Sequence, residues 1–124
     1  MKQLVEGLLE NLSTREIFLF RIACGVCAME YTNRPIRFSK ADVIPPMPQK
    51  KIIYDAIYEQ EFQSARRSAI REAAEQLNYC HICKRLVCNR CFLICDDLDM
   101  CSQCASALGE TGVPVERDAL EIAI

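Results

Sequence analysis

Leu4, Val5, Leu8, Leu9 and Leu12 recur at helical spacing, which predicts a short amphipathic helix over residues 1–12. Asn11, Ser13 and Thr14 end or restart it. Residues 16–23 read Glu-Ile-Phe-Leu-Phe-Arg-Ile-Ala, too short and too apolar for periodicity to separate helix from strand. Their aromatic and β-branched content, and the turn-like Cys24-Gly25-Val26-Cys27 that follows, favour a strand. Tyr31 to Phe38 predicts a returning strand interrupted by Asn33 and Pro35, and Pro45, Pro46 and Pro48 mark a break. Residues 50–77 contain neither Gly nor Pro, and Tyr58, Phe62, Ala65, Ala69, Ala73 and Leu77 keep to one helical face. Such a helix runs about 42 Å, so it bends, breaks or projects towards a partner, and its alanines admit another backbone closely.

From Tyr79 the pattern changes. Short apolar runs, Leu86-Val87 and Phe92-Leu93-Ile94, alternate with cysteines. Residues 101–108 read as a last cysteine turn opening a short helix, with Gly109 as its stop. A tail follows whose end, Glu116 to Ile124, has weak helical amphipathicity. The expected fold is a small α+β zinc-stabilised domain over residues 1–109. It divides into an N-terminal helix, hairpin and first knuckle (1–47), a long central helix (48–78) and a Cys-rich module (79–109), with a flexible tail at 110–124.

The 124 residues are 51% apolar and 26% charged, a globular composition. No apolar run approaches the roughly 18 residues of a membrane span. Glu6 and Glu10 interrupt any secretory apolar segment, so a cytoplasmic protein without a signal peptide is expected. The net charge of −2 excludes a strongly basic nucleic-acid scavenger.

The nine cysteines change the picture most. Eight fall in four C-x-x-C pairs, Cys24/Cys27, Cys80/Cys83, Cys88/Cys91 and Cys101/Cys104, and Cys95 is left over. In a reducing compartment such a pattern points to metal rather than disulfides. Each pair offers half of a tetrahedral S₄ site, and two halves close one Zn²⁺ with Zn–S bonds of about 2.3 Å. Four pairs therefore predict two zinc ions per chain. Because the ligands bind as thiolates, the formal charge moves to about −6, which disfavours nucleic acid further.

Only four residues separate Cys83 from Cys88, a cramped loop for one shared ion. Joining Cys80 and Cys83 to Cys101 and Cys104 gives C-x₂-C-x₁₇-C-x₂-C, within the zinc-ribbon range. Cys24 and Cys27 then pair with Cys88 and Cys91, and the two sites interleave. This cross-brace is favoured; a sequential arrangement stays open. All coordination positions are filled by thiolate, so catalytic zinc, and enzymatic activity with it, is not expected.

The run Cys80-His81-Ile82-Cys83-Lys84-Arg85-Leu86-Val87-Cys88-Asn89-Arg90-Cys91, with Cys101-Ser102-Gln103-Cys104 opening a helix, resembles the second half of a FYVE-type, treble-clef zinc finger. The resemblance covers residues 80–108, with Cys24/Cys27 as a possible first pair. It implies cross-braced metal ligation and a treble-clef topology. It does not imply phosphoinositide binding: Gln76-Leu77-Asn78-Tyr79 stands where that family carries its basic motif, and 52 residues separate Cys27 from Cys80. The stretch from Cys91 to Cys101 also resembles small Cys-rich proteins of anaerobic gut bacteria, which implies a bacterial, cytoplasmic origin and no activity.

His81 lies inside a knuckle already supplied with two cysteines and is read as solvent-facing or backbone-bonded rather than a ligand. Cys95 is most simply a small buried residue; replacement of Cys91 as a ligand, or a reactive thiol, are the alternatives. Lys84, Arg85 and Arg90 form a basic spot and Asp96, Asp97 and Asp99 an acidic one, either solvated loops or a polarised docking surface. Arg66, Arg67 and Arg71 cluster on the long helix but are diluted by Glu59, Glu61, Glu72 and Glu75. The expected function is a structural zinc protein acting as a protein-interaction adaptor or regulator. The alternative is a nucleic-acid-binding zinc-finger regulator. The third is a thiol redox protein using Cys24 and Cys27, with Pro45 as a cis-proline. An iron–sulfur or rubredoxin-like site is weaker, because the C-x-x-C-x-x-C run of bacterial ferredoxins is missing.

Overall fold

The computed structural model describes residues 1–44 and 47–115, in which the chain divides into two compact units. One comprises residues 2–22 and 32–73. The other comprises Met1, residues 23–31 and the chain from Ala74 onward. No helix among the described residues is long and apolar enough to cross a membrane.

The first unit begins with α1 (Lys2–Leu8), followed by β1 (Glu10–Asn11), β2 (Ile17–Phe18) and β3 (Phe20–Ala23). The helix stops short of the predicted Leu12 because the next residues find strand partners: Glu10 and Asn11 pair antiparallel with Arg21 and Phe20. The Asn11 side chain turns the chain by accepting from Ser13 N–H at 2.9 Å. The strand predicted over 16–23 is broken at Leu19, whose N–H donates to Ser13 Oγ and whose carbonyl accepts from Leu12 N–H. After β4 (Glu30–Thr32) and β5 (Ile36–Arg37), the strand orders are β1-β3-β4 and β2-β5.

Helix α2 (Pro48–Gln76) has 29 residues, about 44 Å of helix. Pro48 suits its first position, where no backbone donor is required. The apolar face predicted from the sequence turns inward: Ala65 and Ala69 are buried with Phe18, Phe20 and Phe38, and Tyr54, Tyr58 and Phe62 pack around them. The alanines admit aromatic rings, most of which meet edge-on or tilted, with Tyr58 and Phe62 stacked; Phe18 lies 5.2 Å from Tyr58 and 6.0 Å from Phe38.

A single buried polar side chain among the described residues stands beside this core. Asn33 Oδ1 accepts from Phe20 N–H at 2.7 Å, and Nδ2 donates to the carbonyls of Arg34 at 2.9 Å and Phe18 at 3.4 Å. It supplies the backbone partners that the interruption between β2 and β3 removes.

In the second unit, β6 (Leu77–Tyr79) and β7 (Leu86–Cys88) form an antiparallel hairpin with Leu77 opposite Cys88. The strand β8 (Phe92–Ile94) then pairs with β9 (Met100–Cys101), which leads directly into α3 (Ser102–Leu108). That helix ends at Gly109, in the left-handed region at φ 70° that glycine adopts without strain. Beyond the predicted stop, β10 (Val113–Pro114) adds to the free edge of β8. Gly112 permits it: a Cβ there would lie 2.7 Å from the Ile94 carbonyl and from Cys95 Sγ. The helix read over Glu116–Ile124, and Pro45 and Pro46, lie outside the described residues.

Replacing Asn33 with Ala leaves a buried N–H and two carbonyls without these partners, and should cost about 2–3 kcal/mol. Denaturant unfolding measures it; a loss below about 0.5 kcal/mol would show that water serves the same groups equally well.

Candidate metal centres

Two C-x-x-C segments fold as the same knuckle. In one, Ala28 N–H donates to the Cys24 carbonyl at 3.1 Å and Cys24 N–H to the Met29 carbonyl at 2.9 Å. In the other, Lys84 N–H donates to the Cys80 carbonyl at 2.8 Å and Cys80 N–H to the Arg85 carbonyl at 2.9 Å. The residue after each second cysteine occupies the left-handed region, Ala28 at φ 62° and Lys84 at φ 65°. Both carry a Cβ where glycine would be unstrained.

The knuckles and the later pairs gather eight thiols into two groups. Cys24, Cys27, Cys88 and Cys91 form one; Cys80, Cys83, Cys101 and Cys104 form the other; within each, all Sγ atoms lie within 4.8 Å of one another. Three separations run along tetrahedron edges: 3.7 Å for Cys27–Cys88, 3.9 Å for Cys80–Cys104 and 3.8 Å for Cys83–Cys101. A tetrahedral ion with bonds of about 2.3 Å requires an edge of about 3.8 Å. A disulfide requires about 2.05 Å, and all nine cysteines are free. Each group could hold one metal ion.

Backbone donors prepare these sulfurs for charge. Cys24 Sγ accepts from the N–H groups of Val26 at 3.4 Å and Cys88 at 3.2 Å; Cys80 Sγ accepts from Cys101 N–H at 3.4 Å. Burial alone would raise both thiols, but backbone N–H groups outweigh it and bring Cys24 and Cys80 down to about 6. Their neighbours move the other way. Burial and the adjacent sulfurs push Cys104 up to about 12 and raise Cys91 further. Cys83, beside Arg85, is lowered as well, and burial raises Cys88, so without metal each group holds thiols displaced in both directions.

Arg85 connects the two centres. Its Nε donates to Cys83 Sγ at 3.2 Å, and its terminal nitrogens reach the Gly25 carbonyl at 2.8 Å and Gln103 Oε1 at 2.7 Å. Gly25 N–H in turn donates to the Leu86 carbonyl at 2.8 Å. A Cβ at Gly25 would meet that oxygen and Arg85 Cβ at 3.1 Å, so the close approach of knuckle and strand favours glycine. The sequence placed Arg85 with Lys84 and Arg90 in one basic spot. In the structure its guanidinium is engaged in hydrogen bonds within the unit that carries the two thiol groups, placed to offset charge on Cys83 when that sulfur ionises. The clue available beforehand was its position two residues after a ligand-type cysteine.

Lys84 and Arg90 are exposed, and an Arg90 terminal nitrogen approaches Met29 Sδ at 3.8 Å. Asp96 and Asp97 are exposed, while Asp99 Oδ1 accepts from Cys95 N–H at 3.1 Å. These aspartates border a cleft of about 380 Å³ with Tyr79, His81 and Phe92. The His81 ring stands edge-on to Tyr79 at 4.8 Å and belongs to neither thiol group. Cys95 also lies outside both groups, half-buried, with Sγ 3.8 Å from the Leu93 carbonyl.

Relief of the two left-handed positions should stabilise the unit: Ala28→Gly and Lys84→Gly are each expected to add about 0.5–1 kcal/mol. Destabilisation of the metal-loaded chain by both changes in denaturant would contradict this account. Metal uptake should also release protons, because Cys91 and Cys104 are thiols until an ion displaces their hydrogens. Affinity therefore falls as pH falls. Above pH 6, where Cys24 and Cys80 are already largely ionised, fewer than four protons should leave per ion. Calorimetry in buffers of different ionisation enthalpy counts them, and release of none, or of all four, would sink this reading. No family model, no curated protein and no solved structure matches this chain.

Proposed function

We propose that this is a structural zinc protein with two closed Cys₄ sites in a cross-brace, working as a protein-interaction adaptor or regulator rather than as an enzyme. The observation that carries the zinc reading is the gathering of eight thiols into two interleaved quartets of tetrahedral dimensions. A donor set of four thiolates suits Zn²⁺ and fills its coordination sphere, leaving no position for water or substrate. A treble-clef-like topology is supported by the order of knuckle, β6–β7 hairpin, β8–β9 pair and α3, which carries Cys104 on its first turn.

A protein partner is favoured over nucleic acid by charge and by Arg85. Two Zn(Cys)₄ centres bring the chain to about −6, and the engagement of Arg85 leaves Lys84 and Arg90 as the exposed cations of the knuckle spot. Asp96, Asp97 and Asp99, beside the rings of Tyr79 and His81, offer a surface suited to a basic segment of a partner. The redox reading is disfavoured because Cys24 and Cys27 share their group with Cys88 and Cys91 rather than standing as an isolated dithiol.

Native mass spectrometry with metal analysis tests the proposal: two zinc ions and eight protected thiols per chain are expected. One ion, or iron, would overturn it. Cys→Ser changes should fail in quartets, Cys24 with Cys91 and Cys80 with Cys104. On the zinc-loaded chain, salt-titrated DNA or RNA binding that is lost in Lys84→Glu/Arg90→Glu would replace the adaptor reading with the nucleic-acid one.

A further inference from the structure

The first unit carries a feature that the metal centres do not use. An open cleft of about 530 Å³ lies between α1 and the middle of α2. Four basic side chains line it, from Lys2 of α1 and from Arg66, Arg67 and Arg71 of α2, against one carboxylate, Glu6. That carboxylate is engaged: Glu6 Oε1 binds Arg66 at 3.1 Å, an ion pair between the two walls. The excess of positive charge therefore rests on Lys2, Arg67 and Arg71.

Of the four glutamates that dilute this cluster in the sequence, Glu75 shares the side of Arg71, one turn further along the helix, but lies beyond the cleft. Ser64, Arg67, Ser68 and Arg71 recur every three or four residues, so they form one stripe. Ala65, Ala69 and Ala73 face the core, which fixes the stripe on the open side. Two of the others are held elsewhere. Glu59 binds Gln63, and Glu61 binds the Ser39 hydroxyl and N–H. None of Glu59, Glu61, Glu72 and Glu75 lines the cleft. Arg67 and Arg71 are exposed, one turn and about 6 Å apart along the axis. Ile70, nine-tenths buried, closes the floor.

We propose that this cleft binds a small ligand bearing a phosphate group. Two guanidinium forks, an ammonium and two serine hydroxyls line the one cleft as donors, the combination that recognises phosphate oxygens. The volume falls within the range of small-ligand sites. No aromatic ring lines it, so it lacks the stacking platform on which single-stranded nucleic acid is held. The negative charge of the whole chain likewise gives no long-range attraction for a polyanionic strand. Recognition here is local and directed at one anionic group.

Inorganic phosphate is the probe, titrated into the full chain with its metal and followed by ³¹P line broadening. Saturable binding is expected, weakened at least about tenfold in Arg67→Gln/Arg71→Gln and unchanged in Lys40→Gln, an exposed lysine away from the cleft. Circular dichroism and metal content verify that the variants are folded. A short oligothymidylate and vesicles containing phosphatidylserine serve as the other arms. Absence of saturable phosphate binding, an equal loss in Lys40→Gln, or arginine-dependent binding of oligothymidylate or vesicles that phosphate does not displace would each overturn the proposal.

Discussion

The second unit is built around sulfur. Of the eight buried residues in its core cluster, five are cysteines, and the remaining three are Val87, Met100 and Ala105. Leu77 and Leu86 are buried beside it, yet this is little hydrocarbon to offset the ordering of the chain around it; a domain of this size relies on metal or disulfides where its core is thin. The free thiols exclude the second solution. A bound ion would supply on the order of 10 kcal/mol per site, comparable with the entire stability of an ordinary small domain. The hairpins, the cap of α3 and the β10–β8–β9 sheet all radiate from these sulfurs, so their geometry is downstream of one interaction.

The first unit solves the same problem conventionally. Three phenylalanines fill its centre against a helix face reduced to alanine, and aromatic rings do most of the packing, with Leu9 and Ile57 at the margin. Its one buried amide meets the backbone groups that a broken strand exposes. One chain therefore contains two kinds of centre, one of packed aromatic rings and one of gathered thiols that could hold metal ions. They respond to different insults: chelation and oxidation act on the second, loss of ring volume on the first.

The sequence revealed the parts whose signals are local and periodic. The 3.6-residue repeat from Tyr58 to Ala73 placed the long helix, and Gly109 marked the end of α3. The C-x-x-C spacings led to the same two quartets in which the thiols are gathered. What escaped depends on partners far along the chain. Nothing in Glu10-Asn11 says strand until Phe20-Arg21 lies beside it. Leu19 interrupts its strand because Ser13 and Leu12 take its backbone groups. Arg85 reads as one more surface cation until the Gly25 carbonyl and Cys83 sulfur are seen around it. The arginines of α2 seemed diluted by glutamate because sequence proximity hides which side of a helix each residue takes.

The interleaving has a consequence in time. Cys83 and Cys101 are 18 residues apart, whereas Cys27 and Cys88 are 61 apart. Closing the longer loop costs about 1 kcal/mol more in chain entropy, a small equilibrium difference. During synthesis the separation matters more. The thiols of the first knuckle leave the ribosome early and wait, without their partners, through the whole length of α2. The second quartet completes itself within a few turns of elongation. Each newly made chain thus passes through an interval in which its N-terminal cysteines lack the other half of their group, and the central helix accounts for about half of that interval.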